Sequence, residues 1–257
     1  MKTALITGAT VGIGYELSKQ FAQDGYQLVL VARNEDKLKE RQQELSSAYG
    51  VSVTVIPMDL SNPEAAAQIE SRLKEKNMEI EILVNNAGFG LMGKFVELDL
   101  QRQLDMIQVN VAALTELTGR FLPAMLARGS GGILNVASTA AFQAGPLQTV
   151  YYATKAYVLL FSEGLANELK GTGVRVSALC PGPTATEFQE RAGFGDILLM
   201  KGMVMSAEKV AKIGYKQFQR GKRIIIPGLM NKLLAQSTRF TPRAITTAVV
   251  RFLQESR

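Results

Sequence analysis

Residues Thr3-Ala4-Leu5-Ile6-Thr7-Gly8-Ala9-Thr10-Val11-Gly12-Ile13-Gly14 decide the fold. The short apolar run Thr3–Thr7 reads as a strand, and it breaks at once into a glycine-rich turn that leads into helical spacing from Ile13. Glycines at a strand-to-helix turn let the backbone approach a pyrophosphate, which then sits on the positive end of the helix. The spacing here is G-x-x-x-G-x-G, whereas the usual dinucleotide fingerprint is G-x-G-x-x-G. A tight loop needs glycine with or without a ligand. Its place directly after the first strand favours a nucleotide site.

Outward from that turn, short apolar runs alternate with longer helical patterns, the order of a parallel α/β sheet. Strands are expected at Thr3–Thr7, Gln27–Val31, Val51–Pro57, Ile82–Val84, Gly132–Val136, Arg175–Cys180 and Arg223–Ile226. Helical spacing runs over Ile13–Asp24, Glu35–Tyr49, Pro63–Lys76, Leu104–Leu126, Tyr151–Leu169, Ala207–Phe218 and Pro242–Gln254. Right-handed crossovers put helices on both faces, which makes the fold class a doubly wound, mostly parallel α/β sheet. No repeat or Pro/Ser-rich linker divides residues 1–257, so one domain is expected, with a lid at about 183–206 and a basic tail at about 229–257.

Composition excludes whole classes of chemistry. The 257 residues contain no histidine, no tryptophan and one cysteine, Cys180. Without histidine there is no Ser-His-Asp or Cys-His hydrolase and no histidine-bound zinc. A lone cysteine, read as a buried small hydrophobe, forbids an internal disulfide and a cysteine-cluster metal site; no metal is expected, and a reducing, cytoplasmic compartment fits. Acid-base work falls to Tyr, Lys, Asp, Glu or Ser. The apolar stretch 112–127 is interrupted by Glu116 and Arg120, so no membrane span or secretion signal is expected. Residues 201–257 carry 12 Lys/Arg against Glu208 and Glu255, or +10, and leave −4 for residues 1–200. Such a tail meets a membrane surface or nucleic acid in some proteins, but a solvated face is favoured here, and no nucleic-acid-binding motif accompanies the charge.

Further along, Asn85-Asn86-Ala87-Gly88, Asn110, Ser138, Tyr151-x-x-x-Lys155 and Pro181-Gly182 follow the glycine turn in a fixed order. This set, with Ser138 thirteen residues before Tyr151, resembles the motifs of the short-chain dehydrogenases/reductases over about residues 3–186. The resemblance implies a seven-stranded Rossmann sheet, NAD or NADP, and carbonyl–alcohol redox chemistry. It implies a cofactor against Thr7, Gly8, Thr10, Gly12, Ile13 and Gly14. Asp59 and Leu60 are implied to flank the adenine, with Asn86, Ala87 and Gly88 on the adenosine ribose side. Pro181, Gly182, Thr184 and Thr186 are implied near the nicotinamide. Prolines closing a strand would explain that last segment equally well.

Tyr-x-x-x-Lys alone is weak, because seven tyrosines and 15 lysines give roughly 0.4 chance occurrences per chain. Tyr15-x-x-x-Lys19 is a second instance, read as a helix-surface pair. The constellation with Ser138 is what carries weight. Residues i and i+4 share a helix face, so the Lys155 ammonium is expected to lie beside the Tyr151 phenol and to lower its pKa toward working pH. Tyr151 would then exchange a proton with a substrate oxygen, and Ser138 would hydrogen-bond that oxygen as charge develops. By resemblance Lys155 also holds the nicotinamide ribose, and Asn110 holds a water linking the lysine to solvent. The catalytic candidates are therefore Asn110, Ser138, Tyr151 and Lys155, of which Asn110, Tyr151 and Lys155 also belong to the cofactor set.

The end of the second strand, Leu30-Val31-Ala32-Arg33, has no acid for a ribose 2′-hydroxyl, and an arginine there accommodates a 2′-phosphate. NADP(H) is therefore expected over NAD(H), although neither Thr10 nor Val11 supplies a second positive charge. The motif set points to an NADP(H)-preferring oxidoreductase acting on a small-molecule carbonyl or alcohol. The alternative is a catalytically silent NAD(P)-sensing or scaffold protein on the same fold. Ile197-Leu198-Leu199-Met200 and Met203-Val204-Met205 in the lid favour an apolar ketone, aldehyde, steroid or acyl substrate. The family's pairing of helices Leu104–Leu126 and Tyr151–Leu169 implies a homodimer or homotetramer. The C-terminal helix is expected to dock by its apolar side on its own domain or a neighbouring subunit, in preference to a membrane.

Overall fold

Leu28-Val29-Leu30-Val31 shows no polar alternation because both faces of its strand are covered: Leu28 and Leu30 enter one apolar core and Val29 and Val31 the other. A computed structural model of the chain describes residues 2–187 and 204–255. Its strands are β1 Thr3–Thr7, β2 Gln27–Ala32, β3 Val53–Pro57, β4 Ile82–Asn85, β5 Gly131–Val136, β6 Val174–Leu179, β7 Thr184–Ala185, β8 Met205–Ser206 and β9 Ile224–Ile225. Seven of them form one parallel sheet in the order β3-β2-β1-β4-β5-β6-β9, and β7 pairs with β8 as a separate parallel ribbon. The strand order reverses between β1 and β4, and ligands of such sheets bind at that point, outside the carboxyl ends of the strands.

The helices are α1 Gly12–Gln23, α2 Glu35–Tyr49, α3 Ala65–Glu75, α4 Leu100–Ile107, α5 Ala113–Arg128, α6 Thr149–Glu168, α7 Ala207–Gln219, α8 Leu229–Ser237 and α9 Arg243–Glu255. Helices α1, α2 and α7 bury Leu17, Phe21, Leu38, Leu45 and Phe218 on one face of the sheet. On the other, α3 and α5 bury Ile69, Leu73, Leu117, Phe121 and Met125. The bounds of α2 match the sequence reading because its ends are chemically marked. The Asn34 side chain accepts from Lys37 N at 2.8 Å, and Gly50 closes the helix at φ +66°.

Other expectations need correction. The helix expected over Leu104–Leu126 is three pieces, α4, a π-helical turn at Gln108–Ala112, and α5. Pro63 lies in a turn, and α3 begins at Ala65. Helix α8 and the β7–β8 ribbon were not expected. Within the expected lid, Ile197 to Met200 and Met203 lie outside the described residues. Of the two expected docking partners of the C-terminal helix, its own domain takes only part of the apolar side: within this chain α9 turns Val250 and Gln254 inward and leaves Ile245, Val249 and Phe252 exposed.

Helices α1 and α7 pack against each other. Phe21 is fully buried there, edge-on to Tyr26 at 5.3 Å and to Tyr215 at 4.8 Å between ring centroids. Phe21→Ala should destabilise the fold by about 3–5 kcal/mol, the cost of an aromatic-sized cavity. Urea unfolding followed by circular dichroism checks this, and a loss below about 1 kcal/mol would mean that the two helices re-pack.

Candidate active site

At the carboxyl ends of β1 and β4, two loops are bound together by side-chain hydrogen bonds. The Thr7 hydroxyl accepts from the backbone amides of Asn86 and Ala87, each at 3.0 Å, and donates to Val84 O at 3.3 Å. The Asn86 amide donates to Thr7 O at 2.9 Å and Gly8 O at 3.1 Å. These contacts require glycine around them. A side chain on Gly14 would collide with Asn86 Nδ2 and Gly8 O, and Gly8 and Gly12 hold φ values of +64° and +58°. Thr7 and Asn86 are thus braces of the turn in this structure, a role their spacing did not disclose.

The chemistry of the turn fits an anionic group. Helix α1 opens at Gly12, Ile13 and Gly14 with no side-chain cap and no acidic residue in its first turn, whereas α2, α4 and α7 are capped by Asn34, Asp99 and Ser206. Amides at an uncapped helix start are ready donors for phosphate. Thr186 packs over Gly12, and Lys37 at the start of α2 reaches Glu187 at 3.7 Å, so the 184–187 segment lies across this turn. Arg33 follows β2, is exposed, and makes no ion pair among the described residues. A further base stands nearby, one the sequence reading missed. Arg41 donates from Nε to Thr10 O at 3.2 Å and stacks on the Tyr15 ring at 4.4 Å. Lys19 lies over the same ring at 4.8 Å, the surface pairing expected of Tyr15 and Lys19.

Asp59 is exposed and its carboxylate accepts from Ser61 N and Oγ, while Leu60 is buried in the core. Pro181 O accepts from Thr139 N at 2.9 Å, and the Thr184 hydroxyl donates to Gly182 O at 2.9 Å. Gly182 passes so close to Asn231 of α8 that a side chain there would collide with it.

The second half of the site is built on β5 and α6. Tyr151, Thr154 and Lys155 are one turn apart on α6 and all buried. The Lys155 ammonium donates to Val136 O, the last residue of β5, at 2.9 Å. Two residues on, the Ser138 hydroxyl accepts from Ala140 N at 3.1 Å and hydrogen-bonds the Tyr151 phenol. Asn110 lies in the π turn, a local widening often found at functional sites. Its amide donates to Phe89 O and Thr154 Oγ1, both at 3.0 Å, and its Oδ1 accepts from Phe89 N at 3.1 Å. Gly88 lies between Asn110 Oδ1 and Lys155 Nζ, where any side chain would press on both. Beneath them runs a buried polar layer in which Asn85 donates to Thr118 and Asn135, and Asn135 to Ser162.

The electrostatics differ from the expectation in one respect. Burial pushes the Tyr151 phenol above its ordinary value, and the Ser138 hydroxyl pulls it partly back. Lys155 is turned toward Val136 O, 5.8 Å from the Tyr151 ring centroid, and does not lower the phenol. Burial pushes Lys155 itself down to about 8, opposed by the neighbouring Cys180. Cys180 is driven up to about 12 by the same burial. The Tyr151 ring packs against Met106 and Ala140, and the crevice beside it is lined by Leu91, Phe95, Leu98, Met106 and Val150 with Gln103 and Gln148.

A parallel sheet with a glycine turn at its switch point and a Ser-Tyr-Lys set beside it defines a dinucleotide-dependent oxidoreductase architecture. The short chain dehydrogenase family model matches residues 2–194, and the chain belongs to that family. It is 36% identical to a very-long-chain 3-oxoacyl-CoA reductase of Anas platyrhynchos over 193 residues, 73% of this chain and 61% of the relative. A short chain dehydrogenase of Pseudocercospora fijiensis is 38% identical over 188 residues, 72% of this chain and 60% of the relative. The chain thus spans about three fifths of those relatives' lengths. Among solved structures, a short-chain dehydrogenase from Sphingobium yanoikuyae in complex with NADPH is 36% identical, with TM-score 0.83 over 89% of each chain. The bulky-bulky ketone specific alcohol dehydrogenase from Comamonas testosteroni is 33% identical, with TM-score 0.78 over 93% of this chain and 92% of its own.

Lys155 gives the site a measurable signature. In the unfolded chain its pKa is near 10.5, so between about pH 8 and 10.5 the unfolded state holds a proton that the folded state has released. The Lys155 contribution to stability therefore rises with pH through that window. Against Lys155→Met, wild type should gain roughly 3 kcal/mol of relative stability between pH 7 and 10.5. Denaturant titrations of both proteins at several pH values check this, and a pH-independent difference would mean that Lys155 is not desolvated.

Proposed function

We propose that this protein is an NADP(H)-preferring reductase of apolar ketones or acyl carbonyls. The observation that carries the reading is the convergence of Ser138, Tyr151 and Lys155 beside an apolar crevice at the carboxyl edge of the sheet. The amides of Gly12, Ile13 and Gly14 would hold the pyrophosphate, and Arg33 the 2′-phosphate, with Thr10, Asp59, Leu60, Ala87 and Gly88 lining the adenosine side. Lys155, Thr184 and Thr186 would hold the nicotinamide half, backed by Pro181 and Gly182. Once bound, the nicotinamide supplies the hydride.

The chain's own residues manage the proton. Because burial keeps the Tyr151 phenol protonated at neutral pH, it is a donor to the carbonyl oxygen as that oxygen becomes an alkoxide. Ser138 donates a hydrogen bond to the same oxygen and, as the one group among the described residues that lowers the proton affinity of the phenol, stabilises the phenolate left behind. Asn110 fixes Thr154 and the 88–89 backbone around Lys155. The bulky ketones for which the similar alcohol dehydrogenase from Comamonas testosteroni is specific support a large apolar substrate. So does the long-chain acyl specificity of the avian relative. We further place the protein in a reducing, cytoplasmic compartment on its lone buried cysteine. We read it as a homodimer or homotetramer because α4 and α6 expose Leu104, Ile107, Tyr157 and Leu160.

NADPH oxidation with a panel of bulky ketones tests the reading. Tyr151→Phe should keep NADPH binding while kcat falls about 10²- to 10⁴-fold, the usual contribution of a positioned acid. Full turnover by that variant would remove its role. Arg33→Ala should weaken NADPH by about 10- to 150-fold with NADH little changed, as expected for a charge-assisted contact. Equal losses for both cofactors in isothermal titration would show that Arg33 does not read the phosphate.

A further inference from the structure

Helices α8 and α9 present their apolar side chains outward. In α8, Asn231 and Ala235 face in, against Gly182 and the turn after Ser138, while Leu229, Leu233 and Leu234 are exposed. In α9, Ile245 and Val249 are exposed, and Phe240, 88% exposed, lies between the two helices. Lys232, Arg239 and Arg243 stand among them, all exposed and, among the described residues, without a carboxylate partner. The one acid in 229–255, Glu255, is paired with Arg251 at 2.8 Å. Exposed apolar side chains rimmed by bases are the composition of an interfacial helix, which sinks its apolar face to the acyl boundary and sets its bases against lipid headgroups.

We propose that the α8–α9 surface docks on an anionic membrane. Charge selects this occupant over a second copy of the chain. A two-fold contact through the surface would bring Lys232, Arg239 and Arg243 of both copies together, and the one carboxylate of the segment, Glu255, is already paired with Arg251. Among the described residues no helix is long and apolar enough to cross a membrane, so the contact is peripheral. The surface also borders the crevice. Gln254 of α9 donates to the Tyr152 hydroxyl at 3.0 Å, next to Tyr151, and Arg251 stands close enough to oppose the charge of Lys94, in the segment that supplies Phe95 to the crevice. Docking would turn the crevice mouth toward the lipid. The proposal goes beyond the proposed activity and does not depend on it.

The test is flotation of the full chain with vesicles of mixed phosphatidylcholine and phosphatidylserine, and with phosphatidylcholine alone. Each base near an anionic surface is worth about fivefold in partitioning. The triple variant Lys232→Gln, Arg239→Gln, Arg243→Gln should therefore bind anionic vesicles about a hundredfold more weakly, with its melting temperature unchanged. Raised salt should weaken wild type in the same direction. Leu233→Ser with Phe240→Ser should also lose binding, because the apolar contact anchors what the charges attract. The proposal is overturned if wild type does not float with anionic vesicles, or floats equally with neutral ones, or if the triple variant binds undiminished. It is equally overturned if sedimentation velocity shows self-association through this surface that Leu233→Ser with Phe240→Ser abolishes.

Discussion

The molecule depends on one close approach, that of the loop after β1 to the loop after β4. These strands are neighbours where the strand order reverses, so their crossovers leave on opposite faces and a crevice opens between them. The two loops must meet at backbone distance for the crevice to have a floor. The Thr7 hydroxyl and the Asn86 amide supply that contact, and Gly8 and Gly14 make room for it. The same contact leaves the first turn of α1 uncapped and pointing into the crevice. The polar side chains of the turn thus satisfy the neighbouring loop and leave the α1 amides without a side-chain cap, an arrangement that suits an anion.

Across the crevice, the cluster of Ser138, Tyr151 and Lys155 is organised by burial more than by charge pairing. Tyr151 and Lys155 are both desolvated, which favours their neutral forms and brings their proton affinities apart from ordinary values in opposite directions. Among the described residues Lys155 has no carboxylate partner; a backbone carbonyl of β5 holds it. An acid in that place would fix the ammonium and raise its pKa, whereas Val136 O leaves it near 8, charged but weakly so. Asn110 completes the arrangement from the π turn, where the extra residue rotates its side chain toward Phe89 and Thr154.

Much of this was legible in the chain because it was written in local chemistry. The apolar runs of β1, β2 and β5, the Asn34 cap and the Gly50 stop all act within a few residues. Where the reading went wrong, long-range packing had overridden local pattern. Residues 104–126 keep helical spacing through a π turn, because one inserted residue rotates the apolar stripe without erasing it. Helix α8 was missed because its inward residues are Asn231 and Ala235, so its apolar stripe marks the outer face. In α9 the apolar stripe was seen and assigned to its own domain or a neighbouring subunit, and its own domain covers Val250 but not Ile245, Val249 or Phe252.

The sequence by itself determined the order of the sheet strands and of most helices, the glycine turn, and which polar and ionisable side chains make up the motif set, since periodicity, caps and residue type are local properties. Tertiary structure decided what those side chains touch. It placed Thr7 and Asn86 as braces between loops 79 residues apart. It set Arg41 against Thr10 and turned Lys155 to a strand carbonyl in preference to the Tyr151 phenol. It decided which face of α8 and α9 meets water. Hydrogen bonds and desolvation depend on distances between residues far apart in the chain, and no local pattern encodes those distances.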